Sequence, residues 1–119
     1  MAIVNITVEN DADFYCLFQY VTQNSDGSSG PPIDLTGCSL EMMLRRHAQD
    51  VEAVLRLGTD TGEMVLTDPT NGFFTVLISQ PTLERLGLGS FDHSNIMTNG
   101  SSKTKIWSGT LINNAGPTR

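Results

Sequence analysis

Residues 30–44, GPPIDLTGCSLEMML, set how the rest of the chain is read. A Gly-Pro-Pro loop leads into the tight turn Asp34-Leu35-Thr36-Gly37. The turn releases a run whose apolar residues fall at every second position, with Cys38, Leu40, Met42 and Leu44 on one face and Ser39, Glu41, Met43 and Arg45 on the other. Successive side chains of a strand point to opposite faces, so this spacing predicts a core strand over residues 38–46.

The flanking segments follow the same period. Residues 4–8 alternate apolar and polar, and Asn10-Asp11-Ala12-Asp13 breaks the pattern. Residues 14–21 form a second strand with Phe14, Cys16, Phe18 and Tyr20 toward the core. Its other face, Tyr15, Leu17, Gln19 and Val21, is apolar enough to predict cover on both sides. Residues 23–32 are a polar Gly/Ser-rich surface loop, read either as a hairpin tip or as a segment that orders against a partner.

Residues 51–57 fit a strand better than a short helix, because Gly58 and Gly62 bound them. Strands at 62–66 and 72–78 flank the turn signals Asp68-Pro69 and Asn71-Gly72. Ser79 to Gly87 carries the one helix, near 80–86, with Ser79 as the expected N-terminal cap and Gly87 closing the end. It reads as a crossover between sheets. Asn99-Gly100 predicts a hairpin between strands at 91–97 and 103–112, in which Lys105, Trp107, Gly109 and Leu111 would share one face. The tail 113–119 is polar and is expected to fray or dock.

Composition narrows the function classes. The chain has 119 residues, 13 acidic against 7 basic, a formal net charge of −6, and 39 % hydrophobic residues. That length suits a single β-sandwich domain, 1–119, burying roughly two-thirds of the surface of its unfolded form. No segment gathers cations beyond Arg45-Arg46 and Lys103/Lys105, so a nucleic-acid partner is not expected, although the arginine pair can form a salt bridge. No apolar run reaches the ~20 residues of a membrane helix, and residues 1–4 lack the marks of a secretory signal, so the expectation is a soluble chain made in a cytoplasm, with no membrane partner.

No chemistry is encoded at a usable spacing. Cys16 and Cys38 are too few for a metal cage; they read as two buried thiols, or as a bridge if their Cα atoms approach within about 7 Å. His47 and His93 lack a second ligand at zinc spacing. Asp92-His93-Ser94 holds the residue types of a hydrolytic triad, but neighbours on a strand face opposite ways. Asp11/Asp13, Asp60, Glu63 and Asp68 are turn carboxylates without an acid–base pairing, and no phosphate-cradling glycine motif is present. The expectation is no catalytic, cofactor-binding or metal residue, and no enzyme activity. Trp107 reads as a core or interface aromatic.

With its strands in order, the sequence resembles a family of small virion proteins of tailed bacteriophages, including the N-terminal domain of the upper baseplate protein of lactococcal phages. The resemblance is carried by Pro32-Ile33-Asp34-Leu35-Thr36-Gly37 after a polar loop, a strand ending in Arg45, Gly62-Glu63-Met64-Val65-Leu66, Asn71-Gly72-Phe73-Phe74-Thr75-Val76, the short helix before Gly89-Ser90-Phe91-Asp92, and a final Gly109-Thr110-Leu111 strand. It implies an all-β, immunoglobulin-like antiparallel β-sandwich of about eight or nine strands. It implies a structural role in the virion, as a connector, collar, baseplate or tail accessory protein. Such a protein would bind other virion proteins as a homo-oligomer or in repeated copies, after assembly in the host cytoplasm. A capsid-decorating (cement) module or a host-receptor, saccharide-binding module is the alternative.

The register makes a direct prediction. Leu40→Asp places an unpaired charge in the core at a cost of several kcal/mol, about the whole stability of such a domain, so the variant is expected not to fold. A soluble variant with an unchanged melting curve would show that the core face is the other one.

Overall fold

The computed structural model describes residues 2–23, 26 and 28–118. In chain order the strands are β1 (Ala2–Ile3), β2 (Ile6–Glu9), β3 (Phe14–Gln19), β4 (Val21–Gln23), β5 (Ser29–Pro32) and β6 (Ser39–Arg45). After these come β7 (Leu55–Gly58), β8 (Met64–Asp68), β9 (Phe73–Ile78), β10 (Gly89–Asn99) and β11 (Ser102–Asn114). A single α-helix among the described residues, α1 (Gln80–Leu86), carries the chain from β9 to β10.

The strands form two facing sheets. The larger has the order β1-β11-β10-β6-β7, with β2 continuing β1 along the same edge of β11. The smaller is β3-β9-β8, and β4 with β5 makes a separate hairpin. Leu40, Met42 and Leu44 of β6 are all buried and face inward beside Met97, Asn95 and His93 of β10. From the smaller sheet Phe74, Val76, Ile78 and Met64 close the same core. Phe18, Phe74 and Trp107 meet between the sheets, with centroids 4.7 to 5.7 Å apart in stacked and tilted geometries. Such contacts add to the stabilisation from burial alone.

The turn at residues 34–37 does more than redirect the chain. Asp34 Oδ1 accepts the Thr36 N–H at 2.9 Å, Gly37 takes a positive φ of 77°, and Leu35 is fully buried. Leu35 N donates to Pro69 O at 2.7 Å, tying this turn to the β8–β9 connection.

Several sequence expectations hold. The period in β6, the β8–β9 pair, the crossover helix and the long β10–β11 hairpin all stand where the pattern puts them. Others are corrected. The sheets are antiparallel except along one edge, where β1 and β2 run parallel to β11, and eleven strands stand among the described residues, because short edge and hairpin pieces escape pattern reading.

Of residues 51–57 only the end is strand: Val51 is 92 % exposed, and an alternating pattern without a facing partner does not form a ladder. Part of the loop 23–32 pairs as β4 and β5, while Asn24, Ser25 and Gly27 lie outside the described residues. The outer face of β3 is not covered, with Tyr15 66 % and Leu17 54 % exposed.

A bulge overturns the face assignment in β11. The β10–β11 register shifts between Asn95 and Ile96, so Trp107 lies opposite Asn95 and Lys105 opposite Ile96. The extra residue, Ile106, puts Lys105 on the outer face and Trp107 on the inner one.

The cap at the start of α1 also differs. Ser79 Oγ bonds Thr82 Oγ1 instead of the backbone, and Asp13 Oδ1 accepts the Gln80 N–H at 2.6 Å. At the other end Asn113 Nδ2 donates to Leu83 O and Gly87 O, both at 2.9 Å. The tail docks as well, with Gly116 N donating to Asn10 Oδ1 at 2.9 Å.

At Gly109 the edge strand presses against β11: a β-carbon there would stand 1.9 Å from the Val4 carbonyl oxygen. Backbone cannot yield as a flexible side chain does, so Gly109→Ala is expected to displace the β1–β2 junction and cost about 1–3 kcal/mol. The check is the midpoint of urea unfolding at unchanged m-value; an unaltered midpoint would mean the N-terminal strand gives way freely.

Candidate functional site

Two surfaces and one buried cluster collect the polar side chains. On the outer face of the larger sheet, Met43 and Arg45 of β6 stand beside Ser94 and Asp92 of β10, which in turn face Ser108 and Thr110 of β11. With Ile3, Asn5 and Lys105 they line a shallow groove of about 410 Å³. A second groove, about 480 Å³, lies alongside and shares Lys105; Glu41, Arg56, Ile96, Thr98 and Lys103 line it. Both owe their floor to strand alternation, and Lys105 reaches both because of the bulge.

The arginines on and beside this face are engaged. Arg56 bridges Glu41 at 2.5 Å and Asp60 at 3.2 Å. Glu41 foremost, with Asp60, holds the Arg56 pKa above its ordinary value. Arg45 donates to the carbonyls of Asp50 and Val51, and Arg46 lies 4.2 Å over the Phe91 ring while donating to Leu88 O at 2.9 Å. The arginine pair therefore makes no salt bridge among the described residues. Their carbonyl and ring partners hold the loop after β6 and the end of α1 in place.

The residues singled out from sequence do not converge. Asp92 and Ser94 lie on the outer face and His93 on the inner one, as alternation requires. Asp92 Oδ2 accepts the Ala48 N–H at 2.9 Å. Asp13 caps α1. Cys16 and Cys38 are free thiols, half-buried rather than enclosed; Cys38 precedes β6 instead of lying in it. His47 is exposed. Among the described residues no three His, Cys, Asp or Glu side chains stand together as metal ligands would, and no helix is long and apolar enough to cross a membrane.

Sequence reading missed a buried polar cluster on the inner face. His93, Asn95 and Trp107 are each at most 5 % exposed. Both ring nitrogens of His93, both ends of the Asn95 amide and Trp107 Nε1 lack a well-aligned protein partner. The signal was present, since His93 and Asn95 fall in phase with Phe91 and Met97. Phe18 and Phe74 close over Trp107, while His93 also borders the first groove. Burial pushes the His93 imidazole below its ordinary pKa, opposed by the backbone at Thr110 and Val4 and by the Asp92 charge.

Among solved structures, the chain is similar to the N-terminal domain of phage TP901-1 ORF48. The TM-score is 0.51 at 16 % identity, over 92 % of this chain and 82 % of that one. At that identity what is shared is the fold, and the neighbour is a domain of a phage protein, in line with the resemblance read from the sequence. No family model matches the chain, and no curated protein sequence does.

The buried imidazole has a testable consequence. A histidine whose folded pKa is depressed binds fewer protons folded than unfolded. Its contribution to stability is therefore complete above the unfolded pKa of about 6.5 and declines as pH falls below it, by at most about 1.4 kcal/mol per pH unit. Unfolding free energies measured between pH 5 and 7 are expected to fall with acid in the wild type and to be flatter in His93→Gln. Equal slopes in the two proteins would show that the imidazole takes up its proton without penalty.

Proposed function

We propose that this protein is a non-enzymatic structural component of a tailed-phage particle, present in repeated copies and binding other virion proteins as a connector, collar, baseplate or tail accessory piece. The observation that carries the reading is the shared fold with a phage domain, which extends over 92 % of this chain and 82 % of that one. The geometry is in keeping with it. The polar side chains are spent on caps, turns and sheet-to-sheet ties, while the open surfaces are a sheet face and strand edges, which recognise other proteins.

A saccharide-binding role fits less well, since among the described residues no Phe, Tyr or Trp lines either groove, and sugar rings are commonly held against such faces. Immunogold labelling of purified particles is the decisive measurement: label at a fixed position on the tail, neck or baseplate is expected. Particles that carry none of the protein would overturn the reading, and a strong hit on a glycan array would replace it with receptor binding.

A further inference from the structure

The two sheets present four edges, and three are blunted. Along β1 and β2 the ladder is interrupted at Val4-Asn5, where Asn5 Oδ1 accepts the Thr110 N–H at 3.1 Å in place of a strand carbonyl. β7 is 4 residues long, with Arg56 tied to Glu41 and Asp60. β8 loses register between Val65 and Asp68. Short length, interruption and charge are the devices by which sheets avoid unwanted pairing. β3 has none of them. Its 6 residues, Phe-Tyr-Cys-Leu-Phe-Gln, keep unbroken register with β9 and include no proline and no charge.

The hydrogen-bonding direction of this edge follows from its ladder. Tyr20 N donates to Gly72 O at 2.8 Å, which continues the β3–β9 register and directs the backbone groups of Phe14, Cys16 and Phe18 toward β9. On the far side of β9 the bond from Leu77 N to Glu63 O has the matching phase. Tyr15, Leu17 and Gln19 therefore turn their N–H and C=O groups away from the sheet. Among the described residues only Cys16 Sγ approaches one of them, 3.7 Å from the Leu17 carbonyl. β5 lies on the other side, because Ile33 N bonds Tyr20 O on the β9 side. The same residues carry the exposed Tyr15 and Leu17 side chains, with exposed Leu77 directly opposite Tyr15 on the same face.

We propose that two copies of this chain pair through β3, antiparallel about a two-fold axis at Leu17, making one continuous sheet from the two smaller sheets. What fits such an edge is an uncharged extended strand whose own donors and acceptors recur at the same spacing, and β3 of a second copy is that strand. With Leu17 opposite Leu17, Tyr15 faces Gln19 at both ends, and each of these pairs exchanges both of its backbone bonds. Leu17 packs on Leu17, with each Tyr15 ring diagonal to the partner's leucine. Charge selects the direction. The chain carries a net −6 and places Asp11 and Asp13 just before β3; antiparallel copies hold these carboxylates at opposite ends, whereas parallel copies would set them side by side. The pairing deepens the repeated-copy part of the reading above and is tested on the isolated chain, so that its failure and the failure of the virion role are seen in different experiments.

Sedimentation and light scattering from micromolar to millimolar concentration read it out, on the wild type, Leu17→Lys, Leu17→Pro and, as a control on a distant exposed site, Val51→Lys. The wild type and the control are expected to form a closed dimer. Both Leu17 variants are expected to dissociate it by at least about tenfold, roughly 1.4 kcal/mol. Proline removes an N–H that points away from β9, so its effect isolates backbone pairing from side-chain packing; should it fail to fold by circular dichroism, the lysine variant at an exposed position carries the test. A wild type that stays monomeric throughout, a dimer that survives Leu17→Lys, or open-ended aggregation would each overturn the proposal.

Discussion

The meeting of Phe18, Phe74 and Trp107 between the sheets is the contact on which the rest of the sandwich depends. Each ring comes from a different strand, two from the smaller sheet and one from the larger, so the trio sets both the spacing and the lateral offset of the layers. It exists because of the extra residue in β11. With a regular ladder, Lys105 and Trp107 would share a face, and either an ammonium would enter the core or the indole would leave it. The bulge at Ile106 gives both side chains the environment their chemistry demands, while Ile106 itself remains buried.

The layers are also joined outside the core, through α1. A helix of 7 residues is too short to stand on its own propensity. Its ends are completed from elsewhere: Asp13, just before β3, at the first turn, and Asn113, near the end of β11, at the last. Gln80 Nε2 also donates to Asn10 O, and Asn10 Oδ1 accepts from Gly116. The β2–β3 link, the crossover helix and the end of the chain thus form one polar clasp, in which each partner is remote in sequence from the group it satisfies. A local capping box would hold the helix; this arrangement holds the helix and the two sheets to each other.

That distinction explains what the sequence could reveal. Period two is a local property, and it placed Leu40, Met42 and Leu44 on the core face, the Phe73–Ile78 strand beside Met64–Asp68, and the Asn99-Gly100 hairpin. Turn chemistry is local too, although the turn at Asp34 held more than its residues announced, since Leu35 is itself part of the core. The parallel edge, the bulge and the remote caps depend on which segment arrives beside which. Nothing near Ser79 says that Asp13 will take the role its hydroxyl was expected to play, and nothing near Trp107 marks Ile106 as the extra residue. Residues 51–57 failed for the converse reason: the alternation is there, and no strand faces most of it.

The candidate surfaces were less legible than the fold because they arise from what is left unpaired. On the larger sheet the outer face mixes Met43, Ile3 and Ile96 with polar side chains, and part of its charge is already engaged, as Arg56 is with Glu41 and Asp60. A partner there would have to break those contacts or leave them intact and gain little. The edge of β3 is different, because among the described residues its outward backbone groups meet no partner but the Cys16 thiol, and Tyr15 and Leu17 are exposed beside them. Pairing there replaces hydration by a ladder and removes Tyr15 and Leu17 from water in the same step. Interrupted, short or charged edges elsewhere disfavour that exchange, and it is the contrast among the edges of one molecule, more than any single exposed residue, on which the proposed pairing at β3 rests.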